Sequence, residues 1–279
     1  RVLIRERPDW IVVYGDTNST LAGALAAAKL QIPIAHVEAG LRSYNRAMPE
    51  EINRVVTDHL SHLLFCPTET AQKQANAEGL CQGVEVVGDV MYDMVLQAQA
   101  RLDECSEGLL ASLRVRPQAY ALVTVHRAAN TDSPEVMHSL AQALNQLDLP
   151  VIFPVNPRTR ACLERYDVHW QQHVHLIEPL GYWKMLALER SAYRILTDSG
   201  GVQKEAFFLG VPCVTLRSET EWPETLEAGW NVLVGSDQGA ILTAFQRPNP
   251  PSPGSKLFGA GDAAERIAHA LSAQQGRVR

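Results

Sequence analysis

Residues 10–38, WIVVYGDTNSTLAGALAAAKLQIPIAHVE, contain two short apolar runs on either side of an alanine-rich stretch. The runs IVVY and IPIAHV are apolar throughout, as is typical of strands in a parallel sheet with helices on both faces. The stretch TLAGALAAAKL between them has the composition of a helix. The segment therefore predicts a β-α-β unit with parallel strands.

The same alternation of strands and helices continues through the chain and starts a second series in its middle. A long amphipathic stretch at residues 89–113 ends just before Arg114, and the strand-like run YALVTVH follows. The pattern predicts an α/β protein with two Rossmann-like, doubly wound domains. The predicted divisions are an N-terminal domain at 1–112, a second domain at 113–253, and a helical segment at 254–279 that packs back toward the first domain.

The composition is that of a folded, acidic protein. Of the 279 residues, 46% are hydrophobic and 20% are charged, and the net charge is -6. This composition excludes disorder and gives no general attraction to nucleic acid. Five cysteines stand far apart without a C-x-x-C pair, so neither a zinc site nor a disulfide framework is predicted. Because no apolar run is long enough for a membrane span and no secretory signal is recognisable, we expect a cytoplasmic protein without membrane contacts.

Acidic residues follow the first two predicted strands, at the sheet edge where open parallel sheets bind ligands. Asp16 lies between the first strand and the next helix, and Glu38 comes directly after the second strand. A helix cap formed by Asp16 or Thr17 is the commoner use of such residues. An internal ion pair would explain Glu38 equally well, because a buried carboxylate needs a partner. Asp16 and Glu38 are nevertheless candidates for chemistry.

A third acidic stretch, MPEEINR at residues 48–54, opens a predicted amphipathic helix. Pro49 suits the first helical turn, and Glu50 and Arg54 stand four residues apart on one face. An ordinary surface ion pair is the simplest explanation of these two residues. Three carboxylates near strand ends could also converge on one ligand, which makes Glu50 a third candidate.

The second domain has two polar sites at predicted strand ends. His126 and Arg127 follow its first strand, although a lone histidine is more often structural. The stretch TDSGGVQKE at residues 197–205 joins a strand to a helix. A Ser-Gly-Gly turn at a helix N-terminus presents free backbone N–H groups, so Ser199, Gly200 and Gly201 are candidates for holding a diphosphate. Glu205 is placed to accept hydrogen bonds from ribose hydroxyls. The alternative for the whole stretch is a tight strand-to-helix turn that binds no ligand.

Six stretches occur in an order that resembles the non-hydrolysing UDP-N-acetylglucosamine 2-epimerases. They are GDTNSTL, HVEAGLRS, PEEINR, HR with Asn130, LTDSGGVQKEA, and TEWPE followed by EAGWNVLVG. The resemblance implies a glycosyltransferase-B-like fold, in which two Rossmann-like domains face a cleft that holds the active site. It implies interconversion of UDP-GlcNAc and UDP-ManNAc by a cytoplasmic homodimer, with no metal or other cofactor and no nucleic-acid partner. UDP-GlcNAc is also a candidate effector.

The resemblance assigns roles to particular residues of this sequence. Asp16, Glu38 and Glu50 become the acid/base carboxylates around the sugar, and Arg54 positions them. His126 is assigned a catalytic place near the glycosidic phosphate. The residues expected to bind the rest of the substrate are Arg127, Met185, Ser199, Gly200, Gly201, Glu205 and Arg217.

Several positions depart from the family pattern. Ala129 stands where an acidic residue is common, Asn156 where a histidine is common, Met185 where an aromatic residue often stacks near the uracil, and Trp222 where an arginine is common. The family also has a glycine- and arginine-bearing turn ahead of the GDT stretch, and this sequence has no such turn, so the first domain is expected to be truncated at its N-terminus. The alternatives are a hydrolysing epimerase, a nucleotide-sugar glycosyltransferase and a silent nucleotide-sugar-binding module.

Overall fold

The computed structural model describes residues 1–251 and 257–274, apart from the side chain of Ala100. The strands are β1 Ile11–Tyr14, β2 Ile34–Val37, β3 Leu63–Cys66, β4 Val84–Val86, β5 Ala121–Thr124, β6 Val151–Pro154, β7 Val174–Ile177, β8 Arg194–Thr197, β9 Cys213–Thr215 and β10 Asn231–Leu233. The helices are α1 Val2–Glu6, α2 Asn18–Lys29, α3 Pro49–Leu60, α4 Glu69–Ala77, α5 Val90–Leu113, α6 Ala128–Thr131, α7 Pro134–Leu144, α8 Pro157–Arg165, α9 Tyr182–Ser191, α10 Gly200–Leu209, α11 Pro223–Glu227, α12 Gln238–Phe245 and α13 Ala263–Ala273.

These elements form two compact units. Among the described residues, one unit contains 1–96 and 257–274, and the other contains 97–251. The two units divide between residues 96 and 97, within α5, because that helix continues from the first unit into the second. The predicted boundary between residues 112 and 113 lies in the last turn of the same helix. Leu110 near its end packs with Tyr120 and Leu122 in the core of the second unit. The other predicted boundary, between residues 253 and 254, lies outside the described residues.

The first unit is built on a parallel sheet in the order β1-β2-β3-β4. Strands β2 and β3 are buried along their whole length, which explains their continuous apolar sequence. On one side of the sheet, α13 packs Ile267 against Val37 and Phe65. Asp93 at the start of α5 accepts the backbone N–H groups of Ala263 and Ala264, and so fixes the beginning of α13.

The second unit has a parallel sheet in the order β10-β9-β8-β5-β6-β7. This is the Rossmann order, in which successive strands are added outward on one side and then on the other. The direction of winding changes between β5 and β8, which pair directly. Ligands bind such sheets at the carboxyl ends of these two strands. The segments that begin at His126 and at Asp198 leave the sheet close to this point.

Helix caps account for many of the helix starts. Thr17, Thr68, Ser133, Asn156, Ser199 and Asp237 each accept a backbone N–H from the first turn of the helix that they precede. Within the described part of the chain, no helix combines the length and apolar character that crossing a bilayer requires.

Candidate active site

Asp16 is paired with a buried arginine. Thr17 caps α2, its side chain accepting the N–H of Thr20 at 3.3 Å, so the capping role falls to the threonine. The carboxylate of Asp16 instead pairs with Nη2 of Arg54, and the side-chain amide of Asn53 donates to the Asp16 carbonyl at 2.9 Å. Two residues of α3 therefore hold the turn that follows β1.

The partner of Arg54 on its own helix is Glu51, and the predicted surface pair of Glu50 with Arg54 is wrong. Arg54 is only 1% exposed, and its Nη1 lies 2.7 Å from Oε2 of Glu51. Glu51 also accepts the backbone N–H groups of Ser43 and Tyr44, each at 2.9 Å. Glu50 is half-buried, and its side chain has no hydrogen bond or ion pair with the described residues. The helix therefore uses one glutamate to build the site and leaves the neighbouring one accessible.

Glu38 lies against the same turn as Asp16. A Cβ placed on Gly15 would be 3.3 Å from Oε2 of Glu38, so the carboxylate rests on the backbone of the residue before Asp16. Glu38 itself has a φ of 71°, a conformation that costs energy for a residue with a side chain and clusters at functional sites. The backbone N–H groups of Glu38 and Ala39 both donate to Phe65 O at 3.1 Å. The structure thus brings Asp16 and Glu38 together, as the sequence predicts.

A chain of polar groups, buried except for Glu78 at its end, lies beneath these carboxylates. Asp58 of α3 is paired with His36 of β2 and with Arg42, and Arg42 makes a two-pronged ion pair with Glu78. Burial alone would raise the pKa of Asp58, but hydrogen bonds and charge from His36 and Arg42 hold it below the usual value. Sequence reasoning missed this chain, although His36 and Arg42 flank Glu38.

In the second unit, His126 is oriented by Asp198. The Asp198 carboxylate is fully buried and accepts the backbone N–H groups of His126 and Arg127 and the side-chain amide of Asn130. Its Oδ1 lies 3.2 Å from Nδ1 of His126. Since the ring is 46% exposed, this arrangement directs Nδ1 to Asp198 and leaves Nε2 to meet a ligand. Asp198 joins the segments after β5 and β8 across the switch point.

The Ser-Gly-Gly turn begins α10 at the same place. The side chain of Ser199 accepts the Val202 N–H at 3.4 Å as the helix cap. A Cβ on Gly200 would come within 2.4 Å of Oε1 of Glu221, so a side chain here would push that carboxylate away from the arginines that hold it. Gly201 is the second residue of α10 and is partly accessible. The first turn of the helix therefore offers N–H groups and its positive dipole end to an anion.

Two arginines converge on Glu221 beside this turn. Nη2 of Arg217 is 3.0 Å from Oε2 of Glu221, and Nη2 of Arg127 is 3.7 Å from its Oε1. Nearby, Nζ of Lys204 lies 4.1 Å from the ring centre of Trp222, a contact in which a cation faces the electron-rich ring. The region thus carries more than one cation next to the N-terminus of α10.

Glu205 is buried on α10 and faces α9. Burial, and then the charge of Glu205, raise the pKa of Tyr182. The same two causes raise the pKa of Glu189 well above its usual value. Met185 is half-buried and packs with the core of the second unit. Within residues 1–251 and 257–274, no three histidine, cysteine or acidic side chains are grouped as metal ligands.

Two Rossmann-like units with polar sites at their sheet edges define an α/β protein of the glycosyltransferase-B-like fold class. A sucrose-phosphate synthase from Thermosynechococcus elongatus shares this fold at a TM-score of 0.63 with 14% identity. The family model for UDP-N-acetylglucosamine 2-epimerase matches residues 1–272. The chain belongs to this family, and both the predicted family and the predicted fold of two Rossmann-like domains are confirmed.

Individual relatives match nearly the whole chain. A UDP-N-acetylglucosamine 2-epimerase homolog from Methanococcus maripaludis is 50% identical over 97% of this chain and 77% of its own length. The UDP-2,3-diacetamido-2,3-dideoxy-D-glucuronate 2-epimerase of Pseudomonas aeruginosa is 45% identical over the same shares of the two chains. The crystal structure of UDP-GlcNAc 2-epimerase from Methanocaldococcus jannaschii, in complex with UDP-GlcNAc and UDP, has a TM-score of 0.89 at 43% identity and covers 98% of this chain and 78% of that one.

Proposed function

We propose that the protein is a non-hydrolysing UDP-N-acetylglucosamine 2-epimerase, which interconverts UDP-GlcNAc and UDP-ManNAc. The observation that carries the proposal is the meeting of Asp16 and Glu38 at the ends of neighbouring strands, with Arg54 holding Asp16. Two carboxylates that meet at neighbouring strand ends can supply both a base and an acid. Family membership and the UDP-GlcNAc bound to the M. jannaschii relative support the substrate.

The reaction requires this kind of site. The C2 proton of the sugar is not acidified by a carbonyl group, so its removal must be coupled to departure of the leaving group. A base takes the C2 proton, the C1–O bond breaks, and UDP leaves with the bonding electrons, which gives an unsaturated sugar intermediate. UDP then adds back to C1 while a proton is delivered to the other face of C2. We assign the proton transfers to Asp16, Glu38 and Glu50, with Arg54 as the positioning residue.

The second unit is proposed to hold UDP. The N-terminus of α10 at Ser199, Gly200 and Gly201 is suited to the diphosphate. Arg127, Arg217 and the Nε2 of His126 are suited to the negative charge that grows on the leaving phosphate. Glu205 is assigned to the ribose hydroxyls and Met185 to the apolar face of the uracil. Support comes from the clustering of the cationic groups at the switch point.

Isotope exchange tests the reaction. The protein is incubated with UDP-GlcNAc in deuterated water, and the nucleotide sugars are examined by NMR and mass spectrometry. We expect deuterium at C2 in a mixture of UDP-GlcNAc and UDP-ManNAc. Retention of the C2 proton contradicts the proposal. Accumulation of free ManNAc identifies a hydrolysing enzyme, a strict need for an acceptor identifies a glycosyltransferase, and tight UDP binding without turnover identifies a silent binding module.

A second candidate substrate is UDP-2,3-diacetamido-2,3-dideoxy-D-glucuronate. The P. aeruginosa relative named for it is 45% identical to this chain, against 43% for the M. jannaschii enzyme. The same exchange experiment with this compound separates the two candidates. A kcat/KM that is higher for the diacetamido uronate than for UDP-GlcNAc would reassign the substrate and keep the reaction.

Family membership also supports three further proposals. We propose that the enzyme works in the cytoplasm, as a homodimer, and without a metal or other cofactor. Light scattering of the purified protein tests the dimer, and assays with a chelator test the need for a metal. A sigmoidal dependence of rate on UDP-GlcNAc, or activation of the reverse reaction by traces of it, would identify UDP-GlcNAc as an effector.

A further inference from the structure

His36 lies in the buried strand β2, and both of its ring nitrogens have partners. Nδ1 is 2.6 Å from Oδ1 of Asp58, and Nε2 is 2.8 Å from the carbonyl oxygen of Gly15. The side chain is 0% exposed. Neither nitrogen can therefore exchange its partner for water.

Both partners accept hydrogen bonds and neither can donate in this setting. A backbone carbonyl has no proton. The other oxygen of Asp58 accepts the Gly40 N–H at 3.1 Å and Nη1 of Arg42 at 2.7 Å, so the group is held as a carboxylate. A neutral imidazole has one N–H and one bare lone pair, whereas the imidazolium has two N–H donors. A neutral ring would point its bare lone pair at an oxygen lone pair of either Asp58 or Gly15. One hydrogen bond would then be lost, and no water could replace it.

The charges agree with this arrangement. Arg42 bridges Asp58, which is buried, and Glu78, which is exposed and which His59 also approaches at 3.9 Å. An imidazolium at position 36 places its positive charge directly beside the buried carboxylate of Asp58.

We propose that His36 is a cationic positioning residue, whose Nε2 proton anchors the Gly15 carbonyl and thereby fixes the turn that presents Asp16 and against which Glu38 rests. The N–H of Gly15 donates to Val37 O at 3.1 Å. With His36 bound to its carbonyl, both backbone polar groups of Gly15 are held by hydrogen bonds. Gly15 has a φ of 61°, and its position decides where the next residue, Asp16, points. The kinetic test of this inference rests on the proposed function, whereas the NMR test does not.

The other titratable groups around His36 come from each element packed on β2. Asp58 is on α3, and Arg42 follows β2 and leads to Glu78 at the end of α4. Cys66 ends β3, where burial raises the pKa of its thiol to about 12, so that it stays neutral. Glu38 lies beside Gly15, with its Oε2 3.3 Å from the place that a Cβ on that residue would take.

Histidine NMR tests the protonation state without any assay. The protein is labelled with 15N in its nine histidines, and long-range 1H–15N spectra are recorded at neutral pH. The His36 signals are identified by their loss in His36→Gln. We expect both ring nitrogens of His36 to carry protons. A ring with a single proton at neutral pH overturns the inference, whether or not the protein is an epimerase.

Two variants test the positioning role. Asn at position 36 can reach Asp58 but is too short for Gly15, whereas Gln can reach the Gly15 carbonyl without a charge. We expect His36→Asn to lower kcat by about 100-fold, as for a displaced catalytic group, with KM nearly unchanged. We expect His36→Gln to keep more of the activity than His36→Asn, because its amide still donates to the Gly15 carbonyl.

A second histidine of the same unit provides the control. His62 accepts the backbone N–H of Ile34 at 3.3 Å through Nδ1 and has no hydrogen bond with Gly15, so His62→Asn is expected to keep the wild-type kcat and KM. Circular dichroism and UDP titration confirm that each variant is folded. A His36→Asn enzyme with wild-type kcat, or a His36→Gln enzyme no more active than His36→Asn, overturns the positioning role. If the wild type turns over neither nucleotide sugar, the proposed function fails and the NMR result stands alone.

Discussion

Asp198 holds His126 twice, accepting its backbone N–H at 3.0 Å and facing its Nδ1 across 3.2 Å. The carboxylate is buried and the ring is half exposed, so the aspartate fixes the orientation of the ring and the nitrogen that it presents. Under the proposed function the aspartate acts through the histidine, in the manner of an orienting acid in hydrolytic triads.

We expect Asp198→Asn to lower kcat/KM by about 100-fold or more, because an amide cannot accept every N–H that now points at the carboxylate. Steady-state kinetics and UDP titration measure the effect. Asp132→Asn is the control, because Asp132 makes an exposed ion pair with Arg158, and its kinetics should match the wild type. Equal kinetics for Asp198→Asn would show that His126 needs no orientation.

Neighbouring glutamates on α3 should separate stability from catalysis. Glu51→Gln is expected to reduce the free energy of unfolding by about 2 kcal/mol or more, because Arg54 and two backbone N–H groups lose a buried carboxylate. Glu50→Gln should change stability by less than about 0.5 kcal/mol. It should still reduce kcat by about 100-fold if Glu50 transfers protons.

Urea unfolding and the deuterium exchange rate measure the two effects separately. The pattern is contradicted if Glu50→Gln unfolds more easily than Glu51→Gln. It is also contradicted if Glu50→Gln exchanges the C2 proton at the wild-type rate, since Glu50 would then have no part in the proton transfers.

The glycine at the start of α10 should not tolerate a side chain. We expect Gly200→Ala to destabilise the second unit by about 1–3 kcal/mol and to weaken UDP binding, because its Cβ would meet Glu221 Oε1 at 2.4 Å. Gly239→Ala is a matched change near the start of α12, where the nearest atom would be 3.5 Å away. It should be neutral or stabilising by up to about 1 kcal/mol. Calorimetry and UDP titration decide the case, and equal behaviour of the two variants would refute the steric argument.

Glu189 should make the wild type less stable as the pH rises. Its pKa is raised in the folded protein, first by burial and then by Glu205, so the folded state binds a proton that the unfolded state has released. Stability must then fall as the pH rises above the ordinary glutamate pKa. Glu189→Gln removes this dependence.

The test compares the free energy of unfolding of Glu189→Gln and wild type in urea from pH 5 to pH 9. The advantage of the variant is expected to grow with pH. The same change at Glu178, whose side chain is 83% exposed, should give no such trend. A constant difference between Glu189→Gln and wild type across the range would show that Glu189 is not held protonated.

The sequence was sufficient for the fold, because the relevant signals are local. Continuous apolar runs such as IPIAHV occur where helices cover both faces of a sheet, and the Ser-Gly-Gly turn marks a strand passing into a helix. The end of α5 at Leu113 could be predicted because the amphipathic pattern stops there. The division between the units within α5 could not be predicted, because it depends on what each half of the helix packs against.

The site was predictable only in part. Asp16 and Glu38 follow neighbouring strands, so their meeting could be inferred. The choice between Glu50 and Glu51 as the partner of Arg54 could not, because both spacings are compatible with a helical pair and the outcome depends on the loop at Ser43. His36 and Asp58 are 22 residues apart in sequence, and no local pattern connects them.

The return of α13 to the first sheet has a consequence for biosynthesis. Ile267 completes the packing of strands that were made more than two hundred residues earlier, among them the one containing Val37. The second unit is continuous in the chain and can fold while translation proceeds. The first unit must wait for α13 to leave the ribosome, so a nascent chain stalled before residue 263 would hold a folded second unit and an incomplete first unit.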